Sequence, residues 1–204
     1  MARHGSDLDA TRSWTKDQWR RALLAERRRV PANVRFTEAM QLTSLLIRGQ
    51  VVRPGQTLCG YVPIGSEPGS VQMLDEVAEH GVRILLPIVV GTGALDWAWY
   101  DGREMLRPGP HGLLQPAGER LGEAALRIAD MVLVPALAVD RYGVRLGRGA
   151  GFYDRSLSMA PLGTPLVAVV RDQEVFDGLP VEPHDVLMTA ILTPGRGLVP
   201  LNKL

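Results

Sequence analysis

The stretch with the most chemistry runs from Asp140 to Asp154: Asp-Arg-Tyr-Gly-Val-Arg-Leu-Gly-Arg-Gly-Ala-Gly-Phe-Tyr-Asp. Glycines alternate at 147, 149 and 151, and arginines stand at 145 and 148. Glycine, lacking Cβ, lets several backbone N–H groups converge on one anion. Guanidiniums clamp further phosphate oxygens. An apolar run, Met131 to Val139, leads in, and a helix-like segment, Phe152 to Met159, leads out and would add its positive dipole end. The combination predicts a phosphate cradle. The plain alternative, a glycine-rich surface loop, explains neither the arginines nor the flanking elements. The dinucleotide fingerprint is excluded, because Phe152 stands where Gly or Ala is needed. A Walker A loop is excluded too, since no Gly-Lys-Ser/Thr follows.

Carboxylates are the next candidates. Glu67 follows an apolar run in a loop stiffened by Pro63 and Pro68, where it can accept hydrogen bonds from an amino-substituted heterocycle or simply be solvated. Asp154 falls in the first turn of the helix after the cradle. It either complements the helix dipole or binds Mg²⁺ beside a polyphosphate, with Asp185 as the second carboxylate. Asp140 opens the cradle loop and is expected to brace it through backbone N–H bonds. Trp97, Trp99 and Tyr100 read as core or sheet-face residues before ligand stackers. His4, His80 and His111 lack partners at metal-ligand spacing, and Cys59, inside an apolar strand, reads as packing. No Ser–His–Asp or His-Glu-x-x-His pattern stands out.

Strands alternating with helices must position these groups. Thr15-x-x-Gln18 resembles a capping box, so a helix is expected from Lys16 to about Arg29, ending before Pro31. At 100° per residue Lys16, Arg20 and Arg27 lie within about 40° of one another. This basic stripe is either a solvated face or a set of cations leaning over the cradle. A second helix is expected over Arg35–Ile47, with Phe36, Met40, Leu46 and Ile47 toward the core. A third, capped by Ser70, covers Val71–Glu79 and is closed by Gly81. Strands are expected at Thr57–Val62, Val82–Val90 (central), Met131–Val134 (feeding the cradle), Pro165–Val170 and Ala190–Thr193. Asp96–Tyr100 reads as an antiparallel or edge strand. Residues 101–122 form an irregular Gly/Pro-rich excursion, and Ala124–Ile128 is a weak segment.

The expected fold is therefore α/β: one three-layer domain, residues 14–204, with a mostly parallel central sheet flanked by helices on both faces, after a disordered tail over 1–13. Ligands in such sheets sit at the carboxyl ends of the strands, so the loops after Val62, Val139 and Val170 are expected to share one rim. The 204 residues are 46% hydrophobic, enough for a sizeable core. A net charge of +1 argues against a nucleic-acid or membrane partner, and against reading Arg20–Arg29 as a nucleic-acid patch. One cysteine excludes an intrachain disulfide and fits a reducing compartment. With no signal-like N-terminus and no spanning apolar run, a cytoplasmic monomer is expected.

The glycine block, read as Val134-Pro-Ala-Leu-Ala-Val-Asp-Arg-x-Gly-x-Arg-Leu-Gly-x-Gly-x-Gly-Phe-Tyr-Asp-Arg155, resembles the signature of the 5-formyltetrahydrofolate cyclo-ligases, also called 5,10-methenyltetrahydrofolate synthetases. Three further blocks agree in order: Lys16-x-x-x-Arg20 with Arg27-Arg28, Tyr61-Val-Pro-Ile-Gly-Ser-Glu67-Pro, and Leu179-Pro-x-Glu-Pro-His-Asp185. The resemblance implies conversion of 5-formyltetrahydrofolate to 5,10-methenyltetrahydrofolate, dependent on ATP and Mg²⁺, with release of ADP and phosphate. It implies ATP binding by Lys16, Arg20, Arg145, Leu146, Gly147, Arg148, Gly149, Ala150, Gly151, Phe152 and Tyr153. It implies folate contacts from Val62, Glu67, Arg148, Gly149, Ala150, Gly151 and Phe152, and Mg²⁺ at Asp154 and Asp185. Phe152 stands where many members have Tyr, and Thr189 where many have Asp.

The implied chemistry suits these parts. Phosphorylating the formamide oxygen turns it into a leaving group, and nitrogen 10 then closes the ring. Phosphoryl transfer needs positioning and positive charge more than a protein nucleophile, which makes Arg145 and Arg148 the catalytic candidates. The alternative is a non-catalytic nucleotide or folate sensor on the same fold. Intact Lys16, Glu67 and Asp154 speak against it.

Overall fold

The structure, a computed structural model, describes residues 13–201. The expected tail over 1–13 therefore lies, but for Ser13, outside the described residues. The first helix, α1 (Lys16–Arg28), starts on the capping box that the sequence suggests. The Thr15 N–H donates to Gln18 Oε1 at 2.8 Å and the Gln18 N–H to Thr15 Oγ1 at 3.3 Å. Pro31 separates it from α2 (Ala32–Ile47). The core face of α2 is Ala39, Leu42, Thr43 and Leu46. Phe36 and Met40, expected inside, are 59% and 56% exposed. Both flanks of this helix are apolar, and packing selects the stripe centred on Leu42 and Leu46. The helix α3 (Val71–Glu79) begins where Ser70 Oγ accepts the Met73 N–H at 3.0 Å.

Strands β1 (Thr57–Cys59), β2 (Arg83–Ile88) and β3 (Asp96–Trp99) follow. A small hairpin, β4 (Leu106–Pro108) with β5 (Leu114–Pro116), orders the middle of the expected excursion. The weak segment is a 3₁₀ turn over Glu123–Ile128. Then come β6 (Met131–Pro135), β7 (Ala138–Asp140), β8 (Arg145–Leu146), the short helix α4 (Phe152–Leu157), β9 (Leu166–Val169), β10 (Val175–Phe176), β11 (Ala190–Thr193) and β12 (Gly197–Pro200). The main sheet runs β12-β11-β9-β6-β1-β2-β3, parallel from β11 to β2, with antiparallel edges at β12 and β3. The strand β3 takes the edge place read for it; β6, not β2, is the middle strand.

Both sheet faces are buried, which is why the strands read as unbroken apolar runs. Leu58, Ile84, Leu133, Val167 and Leu192 face one core with α2 and α3. Cys59, Leu85, Val132, Ala168 and Ile191 face another with Trp97, Leu126 and Leu157. The apolar run Met131–Val139 splits at Ala136–Leu137 into two strands of different sheets. Thus β6 does not feed the cradle directly; β7 and β8 come between, β7 lying in the middle of a small sheet with β8 on one side and β10 on the other. Trp19 and Leu23 of α1 pack on this small sheet against Leu137, Val144 and Leu146, which sets the helix beside the glycine segment.

Candidate active site

A cavity of about 420 Å³ opens at the carboxyl ends of β1, β2 and β6. The residues that the resemblance implies for ATP, folate and Mg²⁺ all line it: Lys16, Arg20, Val62, Glu67, the run Arg145–Asp154, and Asp185. The residues directly after Val170, expected on the same rim, do not line it, but the same connection to β11 brings Glu182, His184 and Asp185 there.

The cationic end is built from the β7–β8 hairpin outward. Asp140 Oδ1 accepts the Tyr142 and Val144 N–H groups, each at 2.9 Å, and Oδ2 accepts the Leu179 N–H at 3.0 Å. This buried brace sets the direction of Arg145 and ties the hairpin to the segment leading to Asp185. The Arg145 side chain is 5% exposed and donates from Nη2 to Asp154 Oδ1 at 2.7 Å. A Cβ on Gly147 would lie 2.6 Å from Arg145 Nη1, so a side chain there would push the guanidinium aside. Arg20 Nε donates to the Gly147 carbonyl at 3.0 Å and Arg155 Nη2 to the Ala150 carbonyl at 2.8 Å. In trans peptides this turns the Arg148 and Gly151 N–H groups away from those guanidiniums. Among the described residues no protein acceptor takes the amides from Gly147 to Gly151. Unspent backbone donors beside the buried Arg145 and the part-buried Arg20 are the kind of arrangement that accepts an anion. The helix contributes less than expected, because α4 has only six residues.

Lys16 Nζ donates to Asp185 Oδ2 at 2.8 Å and to Glu182 Oε2 at 2.9 Å. Burial alone would depress the Lys16 ammonium, but hydrogen bonds to Asp185 and Glu182 outweigh it and hold the pKa above its ordinary value. Burial would likewise raise Asp185; the Lys16 bond and the Glu182 N–H reverse this and hold it below the usual carboxylate range. The third member of the basic stripe goes elsewhere. Arg27, 1% exposed, pairs with Glu174 at 2.7 Å and donates to the Ala136 carbonyl at 2.6 Å. Its periodicity matched that of Lys16 and Arg20, but its partner lies in a distant segment.

Away from the cations the lining turns apolar: Tyr61, Val62, Ile64, Pro87, Val89, Leu95, Phe152 and Tyr153. Glu67 closes this slot. Its Oε2 accepts the Ile64 N–H at 2.9 Å and its Oε1 accepts Arg148 Nε at 2.8 Å. The Tyr153 hydroxyl is buried without a protein partner, and burial together with the nearby Glu67 charge pushes its pKa well up. Leu113 and Leu114 bring the β4–β5 hairpin to the mouth. The sequence reading missed these leucines, which carry no chemical signature. It also passed over Glu182 and His184, which stood inside the Leu179–Asp185 block it quoted.

The lining holds four cations (Lys16, Arg20, Arg145, Arg148) and four carboxylates (Glu67, Asp154, Glu182, Asp185). Lys16 is paired with Asp185 and Glu182, Arg145 with Asp154 and Arg148 with Glu67, and Arg20 pairs with Asp17. Asp154 and Asp185 are hard oxygen donors in the same cavity as the free amides, the donor chemistry that Mg²⁺ takes. Ligand atoms of Glu182, His184 and Asp185 also lie within 4.8 Å of one another.

The model of the 5-formyltetrahydrofolate cyclo-ligase family matches residues 12–194. The chain belongs to this family. The 5-formyltetrahydrofolate cyclo-ligase of Mycolicibacterium smegmatis is 48% identical over 198 residues, covering 92% of this chain and 98% of that protein. The Escherichia coli cyclo-ligase is 26% identical, over 88% and 96%. Among solved structures, the Aquifex aeolicus 5,10-methenyltetrahydrofolate synthetase superposes with a TM-score of 0.77 at 25% identity, covering 93% of this chain and 94% of that one. The Mycoplasma pneumoniae synthetase, at 18% identity and a TM-score of 0.70, shares the fold. The cyclo-ligase signature blocks thus meet in space as well as in order, around one cavity.

Proposed function

We propose that the protein converts 5-formyltetrahydrofolate to 5,10-methenyltetrahydrofolate at the expense of ATP, releasing ADP and phosphate, as a soluble cytoplasmic enzyme that acts as a monomer. One observation carries the reading: unspent amides and Arg145 lie in the same 420 Å³ cavity as an apolar slot closed by Glu67. The first part suits a polyphosphate and the second a flat, amino-substituted heterocycle.

The residues divide the work. The amides from Gly147 to Gly151, with Lys16, Arg20 and Arg145, hold the triphosphate. Glu67 accepts from the heterocycle, and Val62, Phe152 and the neighbouring apolar side chains exclude water around it. Arg145 and Arg148 flank the place where the terminal phosphoryl group meets the formyl oxygen. That oxygen attacks phosphorus and ADP leaves. Nitrogen 10 then adds to the formyl carbon and loses its proton, and the carbon–oxygen bond breaks to release phosphate. Because the cations are already paired, the polyphosphate takes Arg145 from Asp154 and Lys16 from Asp185. The two carboxylates so released would hold Mg²⁺, which would supply charge neutralisation to the phosphate.

The test is direct. Purified protein is mixed with ATP, Mg²⁺ and 5-formyltetrahydrofolate, and the methenyl product is followed optically while ADP is counted. One ADP per methenyl group is expected. ATP binding by calorimetry with no product from folded protein would leave a sensor instead and end this proposal.

A further inference from the structure

Two arginines, Arg27 and Arg171, are each 1% exposed and lie outside the cavity lining. Burying a charge is costly unless it is paired and fully hydrogen-bonded, and well-packed apolar residues often do as well for stability. The pair therefore calls for an explanation in what it holds. Arg171 Nε donates to both oxygens of Glu38, at 3.0 and 2.8 Å, and Nη1 donates to the Ser66 carbonyl at 3.0 Å. The Arg171 N–H reaches Glu174 Oε2 at 2.8 Å. Arg27 grips both oxygens of Glu174 at 2.7 Å and the Ala136 carbonyl at 2.6 Å.

The ends of this cluster are the informative part. Ser66 immediately precedes Glu67, the carboxylate closing the apolar slot. Ala136 itself lines the cavity. Arg27 is on α1, the helix that delivers Lys16 and Arg20. Three buried charges (Arg27, Arg171 and Glu174) and the part-buried Glu38 therefore join the loop bearing Glu67, the turn after β6 and the cation-bearing helix, through bonds that fix direction as well as distance.

We infer that Arg171 is a positioning residue for substrate: through Ser66 and Glu38 it holds the Glu67 loop at the spacing from the cradle that the folate head group requires, with Arg27 and Glu174 as its rigid backing. The inference rests on the proposed cyclo-ligase activity. A lysine at 171 keeps the charge but not the fork that reaches Glu38 and Ser66 together. Affinity for 5-formyltetrahydrofolate should then fall while ATP, bound by other groups, is little affected.

The experiment compares wild type, Arg171→Lys and Glu38→Gln by steady-state kinetics and by calorimetry with each ligand separately. For Arg171→Lys the folate KM and Kd are expected to rise about tenfold and the ATP values to stay within about twofold. Glu38→Gln weakens the anchor without emptying it and should give the same selectivity at about threefold. If Arg171→Lys does not fold, Glu38→Gln carries the test alone. Equal changes for both ligands, or none for folate in a folded variant, would overturn the positioning role. A wild-type protein that neither binds folate nor turns over would instead overturn the proposed function on which it rests.

Discussion

Arg148 and Glu67, 81 residues apart in the chain, meet through a 2.8 Å bond from Nε to Oε1. This joins the cradle to the apolar slot. The carboxylate is 6% exposed and also holds the Ile64 N–H, so both of its oxygens accept from protein donors. Glu67→Gln keeps the shape but places an NH₂ group against one of those donors. Charged hydrogen bonds of this kind contribute about 1.5–3 kcal/mol. The folate KM is expected to rise on the order of tenfold or more, with ATP affinity nearly unchanged. Titration of the two ligands separately checks this. An unchanged folate KM would remove Glu67 from substrate binding.

Arg145 is the cation most enclosed at the cradle, and Asp154 pairs with it at 2.7 Å. Arg145→Ala should lower turnover by on the order of 10²–10³, the usual loss when a charge clamp on a developing anion is removed. It also leaves Asp154 partly shielded with no guanidinium, which costs some stability. Single-turnover kinetics under saturating ATP separates the two effects. A loss below threefold would rule out the role given to Arg145 and leave the rest of the site standing.

The elements governed by local rules were legible in the chain. The Thr15–Gln18 box, the Ser70 cap and the glycine run each act within a few residues, and the structure shows the two caps where they were read and the glycine run lining the cavity. What failed depended on distant partners. Phe36 and Met40 share a helix face with Ile47, while the buried face is that of Leu42 and Leu46, and only the third dimension decides which apolar flank of α2 is covered. Arg27 shares the stripe of Lys16 and Arg20, yet Glu174, 147 residues away, draws it inside. The two-residue strand β8 and its partners carry too little pattern to be read from sequence. Leu113 and Leu114 look like any loop leucines until the hairpin folds them over the mouth of the cavity.

Gly149 has φ +104°, a conformation L side chains rarely adopt, and a Cβ there would stand 3.3 Å from the Arg20 guanidinium carbon. Gly149→Ala therefore strains the loop and crowds the cation at once. ATP affinity is expected to drop at least tenfold while the protein stays folded, since the position is on the rim and away from both cores. Calorimetry with ATP, paired with a thermal melt, is the check. Wild-type affinity would show that the cradle amides are not where the triphosphate binds.

The Lys16–Asp185 pair ties α1 to the segment before β11, with the two side chains 13% and 6% exposed. Asp185 is held below its ordinary pKa of 3.8, so its contribution is present above that value and is lost as pH falls through the folded-state pKa. Lys16 is held above its ordinary 10.5, so its contribution is present below that value and is lost as pH rises through the folded-state pKa. The pair should stabilise the protein evenly between about pH 4 and pH 10, by no more than about 1 kcal/mol, because the cavity mouth is open to water. Lys16→Met is expected to melt a few degrees lower across that plateau, and the gap should narrow in acid as the carboxylate protonates. The same substitution removes a proposed phosphate ligand, so the ATP KM is expected to rise at neutral pH even where the melting difference is small. Melting curves from pH 3 to pH 8, set beside ATP titrations, distinguish the structural from the binding part. A gap that stayed constant into acid would mean that Asp185 is not what Lys16 holds.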